Sequence, residues 1–147
     1  MSISIRKANQ QDFPAILSLI REFSLFQKTP GKVTITLEEM IAAGNLFQCF
    51  VAETAAREIA GFASFYFVYN SWSGKGLYLD DLYVSADFRN RGIGKLLLRS
   101  IIQLAKDERC KKLRWQVSKW NENAIEFYKK TGAVIDDTEI NCDLLIS

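Results

Sequence analysis

The chain has 147 residues, 48% apolar and 24% charged, a composition that suits one soluble globular domain and excludes a disordered chain. It has no histidine, which removes Ser-His-Asp and Cys-His nucleophiles, histidine-ligated metal sites and His-x-Glu deaminase chemistry. The 19 Lys and Arg against 17 Asp and Glu leave a net charge of only +2, which argues against a nucleic-acid binder.

Ser2–Lys7 alternates apolar and polar residues, the pattern of a half-buried strand. Asn9, paired in spacing with Asp12, can cap a helix in which Phe13, Ile16, Leu17, Ile20 and Phe23 recur at helical intervals to about Phe26. Gln27–Val33 holds a Pro and a Gly and reads as a loop, and Thr36-Leu37-Glu38-Glu39 is a capping box opening a short helix to Ala43. Three strands follow at Phe47–Glu53, Glu58–Tyr69 and Gly76–Val84, joined by short polar turns as successive hairpins. The uncharged run from Ile59 to Gly74 is too short and too aromatic to cross a membrane, and no signal-peptide pattern opens the chain. Cys49, Cys110 and Cys142 lie far apart with no CxxC, so free thiols in a reducing, cytoplasmic setting are expected.

After Val84 a polar loop leads into Gly92-Ile93-Gly94 and a helix whose apolar face is Ile93, Leu97, Ile101, Leu104 and Ala105. Lys112–Val117 is a strand, and Asn121 can cap a helix to Thr131 with Gly132 closing it. Closing strands are expected at Ala133–Ile135 and Glu139–Ile146. The order is βαα, an antiparallel meander, then βαβαβ: an α/β mixed sheet with helices on its faces, in a single domain over residues 1–147.

Three stretches can carry chemistry. Arg89–Lys95 (RNRGIGK) sits between a strand and a helix, where glycines bare the backbone N–H groups and the helix N-terminus favours an anion such as pyrophosphate. The sequence is neither G-x-G-x-x-G nor G-x-x-x-x-G-K-[ST], and a helix start beside a solvated basic face remains an alternative. Asn121–Tyr128 (NENAIEFY) is either a capped helix with a core-edge tyrosine or part of a site. Asp80-Asp81 lies inside an apolar strand, where alternation puts one carboxylate on each face, and burying either without a partner costs several kcal/mol.

In order and spacing these stretches resemble the GNAT superfamily of N-acetyltransferases, and more closely its spermidine/spermine and thialysine N-acetyltransferase branch. The resemblance rests on Arg-x-x-Gly-x-Gly at Arg89–Gly94, on FASFYFVYNSWSGKGLYLDDLYV at Phe62–Val84 and on WNENAIEFYKKTGA at Trp120–Ala133, and runs from about Ile3 to Ala133. It implies the GNAT fold and acetyl-CoA as co-substrate, with no metal. Backbone at Leu82, Tyr83 and Val84 would pair with the pantetheine arm; Arg89, Asn90, Arg91, Gly92, Ile93, Gly94 and Lys95 would hold the pyrophosphate. Asn121, Asn123 and Ala124 would line the acetyl end, and Tyr128 would protonate the departing thiolate. Asp80 stands where the family usually has Glu, one methylene longer, so amine deprotonation would run through water. Phe26, Gln27 and Trp72 correspond to the acceptor side, and Gln27 replaces a Glu of the polyamine enzymes. Residues 136–147 have no clear counterpart.

The expected activity is acetyl transfer to a primary amine of a small molecule, a diamine or polyamine or a thialysine- or lysine-like amino acid, by direct attack in a ternary complex. A non-catalytic acyl-CoA sensing module and an acetyltransferase acting on a peptide or protein amine are the alternatives. No nucleic-acid or membrane partner is expected, and a homodimer is implied by the resemblance alone.

Overall fold

The alternating run at the N-terminus finds its partner across the sheet. In the computed structural model, which describes residues 2–146, β1 (Ile3–Lys7) lies antiparallel to β2 (Gln48–Thr54), β2 to β3 (Ile59–Asn70) and β3 to β4 (Gly74–Val84). The crossover helix α3 (Ile93–Asp107) then returns the chain so that β5 (Leu113–Arg114) runs parallel to β4. Spatial order in this five-stranded sheet therefore follows the sequence. The residues up to Trp115 form one compact unit and those from Gln116 form another.

Helices α1 (Phe13–Phe26) and α2 (Leu37–Ala43) cover one face of the sheet. Ile16, Leu17, Leu19 and Met40 bury there against Cys49, Val51, Phe62 and Tyr83. Gly61, next to Phe62, lies beneath Leu97 of α3, and consecutive strand residues point to opposite faces, so α3 covers the other side. Its Ile93, Leu97, Leu98 and Ile101 are all buried, and each such side chain contributes ~1.5–3 kcal/mol on leaving water. The sheet is thus fixed from both sides.

The helix starts form as their residue types predict. Asn9 accepts from the Gln11 N–H at 2.9 Å and Asp12 accepts from the Asn9 N–H at 2.8 Å, while Thr36 and Glu39 close the second capping box. Asp12 also receives both ends of the Arg6 fork, at 2.7 and 2.9 Å, and Arg6 reaches on to Glu53 at 3.1 Å. That guanidinium holds the buried Asp12 carboxyl below the usual carboxylate range.

In the second unit α4 (Glu122–Lys130) is capped by Asn121, whose Oδ1 accepts the Ala124 N–H at 3.3 Å, and Gly132 has φ +95° just past the helix end. The closing strands expected at Ala133–Ile135 and Glu139–Ile146 do not form, and residues 133–146 are irregular. Asp136 takes the Thr138 N–H (3.1 Å) and hydroxyl (2.7 Å) in a local turn, and Asp137, Asn141 and Asp143 further weaken strand propensity. Strand β5 is likewise shorter than expected, its pairing ending at Tyr78↔Arg114. The mixed-sheet class stands. Cys49 is buried, Cys110 half-buried and Cys142 exposed, all as free thiols.

Asp12→Asn keeps the shape of the Arg6 anchor and removes its charge, so it should cost about 1–3 kcal/mol in a urea titration at pH 7. A depressed carboxyl gives its stability above its unfolded pKa, so the gap to the parent should close as pH falls through the carboxylate range.

Candidate active site

Leu79 pairs with Phe65 and Asp81 with Ser64, which leaves Asp80 as an extra residue in β4. Such a β-bulge re-aims everything after it. Alternate strand residues turn their amide groups to alternate neighbours. Before the bulge, the Lys75 carbonyl accepts from Lys111 (2.9 Å) and the Leu77 N–H donates to Lys112 (3.0 Å), both toward β5. After it, the Ser85 N–H donates to Ala60 on the β3 side at 2.8 Å, so Leu82 and Val84 are the residues whose amides face away from β3. There β5 no longer follows, since it pairs with Leu77 and Tyr78 alone. Among the described residues no strand covers the edge from Leu79 to Val84. Its N–H and C=O groups, apart from the Val84 carbonyl that accepts from Arg89, can receive an extended, amide-bearing ligand as an added strand.

The bulge also redirects the carboxylates. Asp80 and Asp81, expected on opposite faces, line one cavity of about 320 Å³ together with Ser64, Ile20, Met40 and Phe47. The buried Ser64 hydroxyl accepts the Asp81 N–H at 3.1 Å, an amide the bulge takes out of regular pairing. Burial, and next the charge of Asp80, push the Asp81 carboxyl up to about 6. Asp80 is also raised by burial, although water reaches its side chain from the cavity mouth. Two adjacent carboxylates on this wall, with Glu39 also on it, make a seat for a cation.

The second half of the site is the start of α3. Gly92 adopts φ +75° at the N-cap and offers no side chain to the helix, whose first internal bond runs from the Leu96 N–H to the Gly92 carbonyl at 3.1 Å. The N–H groups of Ile93, Gly94 and Lys95 have no carbonyl within the helix and carry its positive end outward. Gly94 has an ordinary negative φ, and a Cβ there would meet nothing closer than Val84 Cγ2 at 3.8 Å. Neither backbone nor packing requires a glycine at that point, and an unneeded helical glycine costs ~0.5–1 kcal/mol against alanine. What it preserves is open space before the helix amides, next to Val84 on the bare β4 edge. An extended thioester ligand ending in a pyrophosphate fits that pair of features.

Residues 13–133 match the acetyltransferase (GNAT) family. The chain belongs to that family. It is 34% identical over 143 residues to the thialysine N-epsilon-acetyltransferase of Sus scrofa, covering 90% of this chain and 84% of that one. It is 34% identical over 140 residues to the human spermidine/spermine N(1)-acetyltransferase-like protein 1, covering 88% of this chain and 20% of the other. Its fold is that of an aminoglycoside N-acetyltransferase solved in complex with CoA, with TM-score 0.78, 17% identity, and 97% of this chain and 95% of the other covered. The protein is a GNAT N-acetyltransferase.

Within this acetyltransferase, Leu82, Tyr83, Val84 and the segment from Asn90 to Lys95 fall on the bare edge and the α3 cradle. Arg89 turns the other way: its guanidinium donates to the Val84 carbonyl (3.3 Å) and the Tyr83 hydroxyl (3.1 Å) and lies over Phe26 at 4.9 Å. Gln27 lines a smaller cavity of about 200 Å³ that also touches Asp81. Trp72 stands fully exposed in the β3–β4 turn, eight residues along the strand from Asp80, or roughly 25 Å. Asn121, Asn123, Ala124 and Tyr128 belong to the second unit, where Tyr128 is buried and its phenol is raised by that burial. Sequence reasoning missed Ser64, Met40 and Lys32 on the cavity wall and gave Asp81 no role. The adjacent Asp pair was the visible signal; the bulge that turns both inward has no mark in residue types.

Gly94→Ala should raise the melting temperature, by roughly 0.5–1 kcal/mol of added stability, while weakening CoA binding measured by calorimetry. Asp81 gains its proton near pH 6 when folded but near 3.9 when unfolded, so the folded chain holds more protons in that window and loses stability as pH rises through it. Asp81→Asn should therefore raise the melting temperature at pH 7 and flatten that slope, while amine turnover falls.

Proposed function

We propose that the protein transfers the acetyl group of acetyl-CoA directly to the primary amine of a small molecule, both substrates being bound together. The observation that carries this reading is the continuity of β4: the acid-lined cavity at Asp80 and Asp81 passes within one residue into the bare edge at Leu82. Acetyl-CoA supplies the activated acetyl thioester. Leu82 and Val84 align its extended arm, and a backbone N–H on that edge can hold the acyl oxygen as charge develops there. The α3 cradle from Asn90 to Lys95 takes the pyrophosphate. Asp80 and Asp81 seat the acceptor ammonium beside the edge, and cavity water takes its proton. Tyr128, whose phenol is raised by burial and so protonated at neutral pH, is the proposed acid for the departing sulfur.

A lysine-like acceptor is the reading we favour over a polyamine. Beyond the acid pair the wall carries one cation, Lys32, and one further carboxylate, Glu39, so it can meet an acceptor that bears charges of both signs. The relative from Sus scrofa named for thialysine supports this choice. A cytoplasmic setting is the accompanying reading, which the free thiols suit.

A CoA-release assay across thialysine, lysine, diamines, spermidine and peptide N-termini should show the amino-acid amines turned over best. Acetyl-CoA binding without turnover on any amine would replace this reading by that of a sensing module. Tyr128→Phe should lower kcat about 100-fold with little change in acetyl-CoA KM, and an unchanged kcat would remove Tyr128 as the acid.

A further inference from the structure

Glu22 lies outside both cavity walls, yet it is the hub of a polar network at the end of β4. Its carboxylate accepts from the Tyr83 hydroxyl at 2.5 Å, from the Ala86 N–H at 3.2 Å and, at 3.4 Å, from the Ser85 hydroxyl. Arg89 closes the network by donating to the Tyr83 hydroxyl and to the Val84 carbonyl, at 3.1 and 3.3 Å. Phe23, the next residue of α1, stacks on the Tyr83 ring at 4.8 Å, and Arg89 lies over Phe26 of the same helix at 4.9 Å. The segment from Tyr83 to Arg89 is thus tied along its length to one helix.

That segment joins the two halves of the donor site. At its start stand Leu82 and Val84 on the bare edge, one just before it and one within it; after it come Asn90 to Lys95 in the cradle. Its own regular structure is a single short turn, Ala86–Phe88, so it cannot hold their spacing unaided. Burial works against the Glu22 charge, but the bonds from Tyr83, Ala86 and Ser85, with Arg89 nearby, hold its carboxyl below the usual range. Tyr83 is pushed up to about 12, by burial first and then by Glu22, so its hydroxyl remains a donor. The clamp is ionised throughout the neutral range.

We infer that Glu22 is a positioning residue for the donor site: through Tyr83 and Ala86 it fixes the spacing between the β4 edge and the α3 cradle, and so sets affinity for a ligand that must occupy both. The inference rests on the acetyl-CoA reading. A ligand filling one half alone does not sense the spacing, whereas one spanning both does.

Calorimetry on the full chain separates these cases. CoA spans both halves; pantetheine and 3′-phosphoadenosine 5′-diphosphate occupy one each. Glu22→Gln should weaken CoA about tenfold, the worth of one charge-assisted hydrogen bond, and leave both fragments unchanged. In turnover, acetyl-CoA KM should rise with kcat retained. Equal weakening of CoA and its fragments would mean general damage and overturn the inference, as would unchanged CoA affinity. Tyr83→Phe keeps the stack on Phe23 and removes the hydroxyl; the same split between CoA and fragments is expected, and it decides the matter if Glu22→Gln does not fold. Failure of the acetyl-CoA reading looks different, because the parent protein would then bind neither CoA nor its fragments.

Discussion

One extra residue in β4 is the constraint on which the site depends. Asp80 has no opposite number in β3, and every amide after it faces the other way from where regular pairing would put it. Were Asp80 paired with Ser64 in regular register instead of bulged, the amides facing the bare edge would be those of Asp81 and Tyr83, while Leu82 and Val84 would be used up in pairing with β3. The Tyr83 side chain would then leave the α1 face, and the clamp to Glu22 would have no partner. Ser64 compensates for the irregularity, its buried hydroxyl accepting the Asp81 N–H displaced from regular pairing. A single hydroxyl thus stabilises a local fault from which the donor edge, the acid pair and the donor clamp all follow.

The rest of the fold makes that fault tolerable. A bare edge, adjacent carboxylates, an uncapped helix start and a helical glycine all cost stability, and each is gathered near the end of β4. Against them stand a sheet buried on both faces and the Arg6–Asp12–Glu53 network that pins β1, the start of α1 and β2. Binding can then satisfy groups the fold leaves open: the β4 amides, the α3 amides and the acid pair. Stability and function oppose each other at these positions, which is why substitutions that help the fold are those expected to harm the ligand.

Periodicity carried the fold a long way. The alternating strands, both capping boxes and the helical stripe of Ile93, Leu97 and Ile101 are local patterns, and they sit where local patterns place them. The α3 cradle was legible too, because glycines before a helix mark it directly. Residue types did not reveal the bulge, since an Asp-Asp pair in a strand reads the same with or without a register shift. Nor did they reveal Glu22, whose partners lie about sixty residues away, from Tyr83 to Ala86. The segment 133–146 erred in the opposite direction. Its apolar residues suggested strands, but strands need a partner edge, and Asp136 offers the backbone a nearer hydrogen bond.

The absence of histidine bears on how the acid pair works. Moving a proton from an amine near 10.4 to a carboxyl near 6 is uphill by about 6 kcal/mol, so Asp81 is a poor resting place for it. An ammonium seated against Asp81 would also stabilise the carboxylate and draw that carboxyl lower still. In the proposed reaction the pair therefore serves best by holding the cation beside the β4 edge while water carries its proton away. A carboxyl already raised to about 6 suits this task, because its charge is incompletely satisfied until an ammonium arrives. Proton removal is then left to solvent pH and to the small fraction of free amine, while orientation supplies the gain. A site built for binding and alignment on the acceptor side needs no imidazole there.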